Sequence, residues 1–379
     1  MCISSLPQPP HLSTLIMERS SRRRVKAGNR SARGLDGVNF FVAAMQTGFG
    51  AFVTVYLVRN HWPPQAIGFA LTISTLSSLI SQAPAGAFID SIHDKRRAVR
   101  LGTIGVGAAA LLLALTPAKA AVYLAQALQG LASSLIGPGI AAISLKTVGH
   151  AAFSERIGRN ACFASIGNGL TAGVMGLAGS YFVPVSIFWL TAVLTVPALL
   201  SLFLVGTERA EKSVADGSGS EEPGADDSRI TWKGLRGLFL DRRLVTFAFC
   251  IVLFFVSSAA IMPGVAVRMT RQHPELSTLI VAATILLPQA IVAMISPWIG
   301  RTAEKSGRRP LLLFGWALSP LQGVLFATLS GPYALVICQV LNGFSGAVFG
   351  VMMTVVANDL TRGTRRFNLT LGASTLSHS

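Results

Sequence analysis

From Leu276 to Ile299 the chain runs without one charged side chain. Coiled as a helix, such a run rises about 36 Å, enough to cross a hydrocarbon core of about 30 Å. No water is present there to take up unpaired N–H and C=O groups, so the run must satisfy its own backbone and is expected to be α-helical. Pro310 to Leu329 repeats the pattern directly afterwards. Across the chain, hydrophobic residues make up 51% and charged residues only 13%, against roughly 25% charged in soluble domains. An all-α, polytopic membrane protein is the expected fold class.

Ten spans are expected. Helices 1 to 6 lie near Gly37–Val58, Ile67–Ile89, Leu101–Leu115, Ala120–Leu145, Cys162–Phe182 and Pro184–Val205. Helices 7 to 10 lie near Leu244–Val267, Leu276–Ile299, Pro310–Leu329 and Pro332–Ala357. Residues 1–35 read as a disordered basic cytoplasmic tail, with Met17 an alternative start to Met1. Residues 36–206 form a six-helix half, 207–243 a cytoplasmic linker, and 244–379 a second half of four helices and a stub. The linker run Gly217-Ser218-Gly219-Ser220-Glu221-Glu222-Pro223-Gly224 carries too little apolar surface to order itself. Thr231 to Leu240 reads as a short amphipathic helix on the membrane surface.

Between helices 8 and 9 stands Gly300-Arg301-Thr302-Ala303-Glu304-Lys305-Ser306-Gly307-Arg308-Arg309. A weaker copy lies far upstream, between helices 2 and 3: Gly86-Ala87-Phe88-Ile89-Asp90, then Lys95-Arg96-Arg97. Each has an acid four residues after a glycine. On a helix these share a face, so the backbone approaches a neighbour while the carboxylate reaches past it. A second pair repeats at nearly the same offset. Gln126-Ala127-Leu128-Gln129-Gly130 is echoed by Gln339-Val340-Leu341-Asn342-Gly343, and Gly137 by Gly350. The chain thus reads as two related halves.

The formal charge of +16 is explained by topology. Of 32 basic residues, only Arg59, Lys119, Arg268 and Arg271 fall in odd-numbered loops; the other 28 fall in the tail and on the even-numbered side. That asymmetry is the positive-inside pattern and puts both termini in the cytoplasm of a cell (inner or plasma) membrane. No base-stacking aromatics interleave the charges, which argues against a nucleic-acid partner. Cys2, Cys162, Cys250 and Cys338 have no metal or redox spacing, and no cofactor or catalytic group is expected.

These residues resemble the major facilitator superfamily of secondary transporters. Its signature loop, G-x-x-x-[DE]-[RK]-x-G-[RK]-[RK], is matched by Gly300, Glu304, Lys305, Gly307, Arg308 and Arg309. The first-half copy keeps Gly86 and Asp90 but has one residue too many before Lys95, Arg96 and Arg97. The resemblance implies twelve helices, whereas only Phe367 to Ser379 follow Arg366; a truncated or frame-shifted reading frame is the preferred expectation over a ten-helix protein. It also implies alternating access, with the signature loops gating the cytoplasmic side. Glu304 is expected to meet the N-terminus of helix 5, and Asp90 that of helix 11. With helix 11 a stub, the resting state is expected to face inward.

Proton antiporters of the family carry R-x-x-Q-G on helix 4, where this chain has Gln126 in place of the arginine. Their helix 5 pattern, G-x-x-x-G-P-x-x-G-G, is matched only loosely by Gly169, Gly173 and Gly176, with Val174 at the proline position. Proton antiport is therefore disfavoured. Asp36, Asp90, Lys146, Arg268, Glu304 and Asp359 all sit at expected helix ends. The candidate cavity residues are instead amides: Gln46, Gln126, Gln129, Asn168, Gln289, Gln339 and Asn342. Each reads equally as solute ligand or as helix–helix glue worth about 0.6 kcal/mol, with Gln129 and Asn342 favoured as ligands because they are pseudo-equivalent. The expected function is transport of a small, uncharged or amphipathic solute by a lipid-embedded monomer. The alternatives are a solute-binding receptor or scaffold on the same fold and a non-functional truncation product.

Overall fold

The computed structural model describes residues 12–49, 51–181, 185–206, 249, 277–328 and 332–360, and no strand occurs among them. In chain order the helices are α1 (Leu12–Thr47), α2 (Ala51–Arg59), α3 (Pro64–Ser91), α4 (Lys95–Leu115), α5 (Lys119–Val148), α6 (Phe153–Tyr181) and α7 (Ser186–Leu204). After the central stretch come α8 (Ser277–Ser306), α9 (Arg308–Thr328) and α10 (Pro332–Leu360). Among the described residues, α3, α4, α5, α7 and the Cys338–Asp359 part of α10 meet both the length and the apolarity needed to cross a membrane. The linker, expected helix 7 apart from Phe249, and the stub after residue 360 lie outside the described residues.

Local chemistry sets the ends. Pro63 and Pro64 open α3, where a missing N–H costs nothing. Asp94 caps α4 by accepting from the Arg96 N–H at 3.2 Å. Burial works against the Asp94 carboxylate, yet hydrogen bonds and the charge of Arg96 prevail and hold its pKa below the ordinary value. Gly149 ends α5 at φ +71°, and Gly307, at φ +82°, alone separates α8 from α9. Left-handed backbone of that kind costs a side-chain-bearing residue about 1–2 kcal/mol.

α4 begins at Lys95, not Leu101, and α8 runs through the expected signature loop to Ser306, not Ile299; three further boundaries depart from expectation. Expected helix 1 is broken into α1 and α2 at Gly48, where the N–H of Gly48 turns back to the Met45 carbonyl and that of Phe49 to Gln46, each three residues away. Glycines on both sides of Phe49 make the unwinding cheap. α6 begins at Phe153, not near Cys162, because the charges of its first turns are paired. Residues 12–35, expected as a disordered tail, are helical as the first part of α1. The run from Leu12 to Arg33 contains no proline and is rich in arginine, which favours helix.

The first half packs around Leu35, Val38 and Met45 of α1, Tyr56 of α2, Val106 and Leu113 of α4, and Phe188 and Leu202 of α7. Tyr56 donates to the Leu113 carbonyl at 3.1 Å and meets Phe188 edge-on at 4.9 Å. A second cluster spans both halves, joining Ala141, Phe153 and Ile157 to Ile299, Ala303, Val348 and Met352. Outward-facing side chains are large and apolar, for example Ile80 (66% exposed) and Phe203 (68%). In water such a surface would be an aggregation liability; in lipid it is the expected exterior.

Candidate transport site and interdomain latch

The two halves meet along α6 and α8. A Cβ placed on Gly158 would collide with the Ser296 carbonyl oxygen, and one on Gly300 with that of Ser154. The two backbones therefore touch, and only glycine fits at either position. Beyond this crossing, α8 delivers the side chains of its signature loop. Glu304 Oε1 accepts from the Glu155 N–H in the first turn of α6 at 3.3 Å, where unpaired N–H groups and the helix dipole favour an anion. Arg301 Nε donates to Glu155 Oε1 at 2.7 Å. The sequence expectation for Glu304 thus names the helix it meets, although α6 starts five residues before Gly158. Arg308 donates to the Ala303 carbonyl at 2.9 Å and to Asp359 at 2.8 Å, binding the ends of α8 and α10 together. Asn358 lies 3.3 Å from His150, which stands between α5 and α6.

The structure holds α6 and α8 docked at this basic end. The contact needs only α6 and α8, and both are present with their glycines. The Asp90 side is different: helix 11, its expected partner, lies outside the described residues.

A charge cluster behind the latch has no counterpart in the sequence reading. Asp36 is buried well inside α1, not at a helix end, and accepts from Arg156 at 2.8 Å and from Arg159 at 2.6 and 3.0 Å. Arg156 also donates to Asn160 at 2.8 Å, and Asn160 to Ser144 at 2.8 Å, so α1, α5 and α6 are stitched together. Hydropathy places Arg156 and Arg159 in a loop. Their spacing of three, an arrangement that suits one helix face, is the available signal.

Deeper along the seam lie several of the candidate amides. The Thr47 hydroxyl, at the break between α1 and α2, sits 3.0 Å from Asn168 Oδ1 on α6. Gly167 lets α6 approach the Phe40 carbonyl of α1, and Gly169 faces the side chain of Gln289 on α8. Asn342, half-buried, precedes Gly343, whose missing side chain admits Ile291 of α8. Gln46 is half-buried one residue before Thr47. The structure thus sets Asn168 against α1 and Gln289 against α6, while Gln46 and Asn342 are half-buried next to residues at the same seams. Gln129 lies elsewhere, between α3 and α5; its carbonyl accepts from Ser74 at 2.6 Å and its amide donates to Ser133 at 3.0 Å. Gln126 and Gln339 are each 1% exposed, and neither polar atom of the Gln126 amide has a hydrogen-bond partner among the described residues.

A family model described as the Major Facilitator Superfamily matches residues 35–367. Two relatives, each named as an uncharacterized MFS-type transporter of Mycobacterium tuberculosis (strains CDC 1551 / Oshkosh and ATCC 25618 / H37Rv), are 32% identical over 349 residues. The match spans 91% of this chain and 82% of theirs. Among solved structures, the human organic anion transporter MFSD10 (TETRAN) superposes with a TM-score of 0.60 at 17% identity, covering 92% of this chain and 91% of that one. That likeness speaks to the fold. Taken with the repeated glycine–acid loops and the glycine-lined seam between halves, these matches make the chain a member of the major facilitator superfamily, an integral multi-pass membrane protein.

Proposed function

We propose that the chain moves a small solute across the membrane by alternating access, as a monomer with both termini in the cytoplasm. The observation that carries this reading is the seam between the halves. At its basic end it is held by contacts that can part cheaply: an exposed ion pair worth about 0.2–1 kcal/mol and one charge-assisted hydrogen bond to a helix N-terminus of similar worth. Further in, the same helices bring uncharged amides and a broken helix end together. Discontinuous helices near the midplane expose polar backbone where transporters of many folds bind solute. An uncharged or amphipathic solute suits amides better than a strong acid or base does. Gln46, Asn168, Gln289 and Asn342 are the ligands assigned, and Glu304, Arg301 and Glu155 are the gate.

The test is uptake by the full chain in liposomes, using a panel of radiolabelled uncharged, amphipathic and organic-anion solutes. At least one uncharged or amphipathic member is expected to accumulate. Asn168→Ala and Asn342→Ala are expected to lower its uptake at unchanged folded yield. Solute binding in dialysis without uptake would identify a receptor, and uptake confined to organic anions would overturn the solute class.

A further inference from the structure

A cavity of about 210 Å³ opens between the start of α4 and the end of α7, lined by Arg96, Arg100, Leu199, Leu202 and Phe203. Its two cations differ in what they already hold. Arg96 is spent: its Nε and Nη2 face Asp94 at 3.0 and 3.4 Å, and its Nη1 donates to the Val205 carbonyl at 2.9 Å. Arg100 makes no hydrogen bond or ion pair among the described residues, although its charge is felt at Asp94. It is half-buried and lies five residues into α4, about 7.5 Å from the helix start. Its neighbour Leu101 is 53% exposed on the lipid-facing surface, and Phe203, across the cavity, is 68% exposed. A guanidinium at the edge of the hydrocarbon is costly unless it reaches the headgroup layer or meets an anion there.

We propose that this α4–α7 cavity binds an anionic phospholipid, its phosphate on Arg100 and an acyl chain along Leu199 and Phe203. The charge is right for that occupant. Arg97, 72% exposed, precedes Arg100 by about one turn of α4, and the nearby acid Asp94 is already engaged by Arg96. A zwitterionic lipid brings its own cation to compete with Arg100, whereas an anionic lipid does not. Basic pockets between spanning helices on the cytoplasmic side are suited to such headgroups. The cavity is too small for a whole lipid, but its floor of Leu199, Leu202 and Phe203 continues into the exposed apolar face of α7. The repeated fold does not require the cation. At the offset that relates the two halves, Arg100 corresponds to Leu313 or Phe314, both exposed and apolar. A lipid here would brace the junction where Gly206 donates to Ser31 at 2.9 Å and the chain leaves for the linker.

Native mass spectrometry of the purified full chain, titrated with phosphatidylglycerol or phosphatidylethanolamine, reads this directly. Phosphatidylglycerol is expected to be retained in preference, and Arg100→Gln to lower its retention about fivefold, the worth of one cation near the surface. Arg100→Lys should keep most of the binding, and Arg309→Gln, a charge loss in the second half, should change nothing. Millimolar inorganic phosphate should not displace the lipid. Equal retention by Arg100→Gln and the unaltered chain, or no preference between the two lipids, would overturn the proposal. Displacement by phosphate would assign the cavity to a free anion. Lipid retention that appears only with Glu221→Gln and Glu222→Gln would assign it to the acidic linker. Should Arg100→Gln fail to fold, photoactivatable phosphatidylglycerol on the unaltered chain decides the matter. Adducts at Leu101, Ile104, Leu199 or Phe203 support the site, and adducts confined elsewhere refute it.

Discussion

The two signature loops descend from one pattern and do different work. In the second half, one glycine at φ +82° turns α8 into α9, and Arg301 and Glu304 reach out of their own half to Glu155. In the first half, Ile92, His93 and Asp94 separate α3 from α4, and the charges turn inward. Lys95 donates to the carbonyls of Ile89, Asp90 and Ile92, Asp94 caps α4, and Arg96 holds the carbonyl of Val205, the residue that ends α7. Both loops share a cation that closes the helix before it. Lys95 caps the carbonyl of Ile89, and Arg308 that of Ala303, its pseudo-equivalent in the second half. That cation belongs to the repeated fold. Among the described residues, the reach across the interface is made by the copy with the tight glycine turn. The longer first-half loop gives Asp94 room to cap α4.

That comparison can be broken in graded ways. The largest effect is expected at the crossing itself. Gly158→Val puts a side chain onto the Ser296 carbonyl and has no flexible neighbour to yield. A loss of about 3 kcal/mol or a parted interface should follow, read as lower thermal stability of purified protein and as a longer distance between spin labels at Ala151 and Ser306. Next comes the turn. Gly307→Ala should cost about 1–2 kcal/mol through strain, whereas His93→Ala in the longer loop should be near neutral by the same melting assay.

Exchanging the charges of the exposed pair is smaller again. Arg301→Glu and Glu155→Arg should each shift the docked population up to about fivefold, and the double variant should recover most of it, a coupling of about 0.2–1 kcal/mol. The smallest effect is a pH slope. Asp94 has a folded pKa below its ordinary 3.8, so its stabilising contribution is present above that ordinary value. It is lost as pH falls through the depressed folded value. Asp94→Asn should flatten acid unfolding in that window only.

The all-helical, membrane-spanning class was legible because apolar runs of bilayer length are properties of composition and order. The partner of Glu304 was legible because pseudo-symmetry names it. The break after Thr47 was not, since Gly48 and Gly50 look like the many other glycines that pack inside intact helices here. Asp36 was misplaced at a helix end because the hydropathy that marks where helix 1 begins says nothing of the polar stretch of helix before it. Arg156 and Arg159 were counted as loop cations, since pairing with a residue as distant in sequence as Asp36 leaves no trace in local composition. Gln129 shows the remaining limit: sequence names an amide in a span, but only geometry shows that Ser74 and Ser133 already hold it.

The most direct test of the account compares the two loops in one experiment. Spin labels at Ala151 and Ser306 report the α6–α8 end of the interface by double electron–electron resonance in lipid nanodiscs. Glu304→Gln with Arg301→Gln is expected to move population from the short distance to a longer one, by about fivefold or more. Asp94→Asn with Lys95→Met is expected to leave the distribution unchanged while lowering thermal stability. Equal shifts from both pairs, or a shift from the first-half pair alone, would contradict the assignment of the latch to the second-half loop.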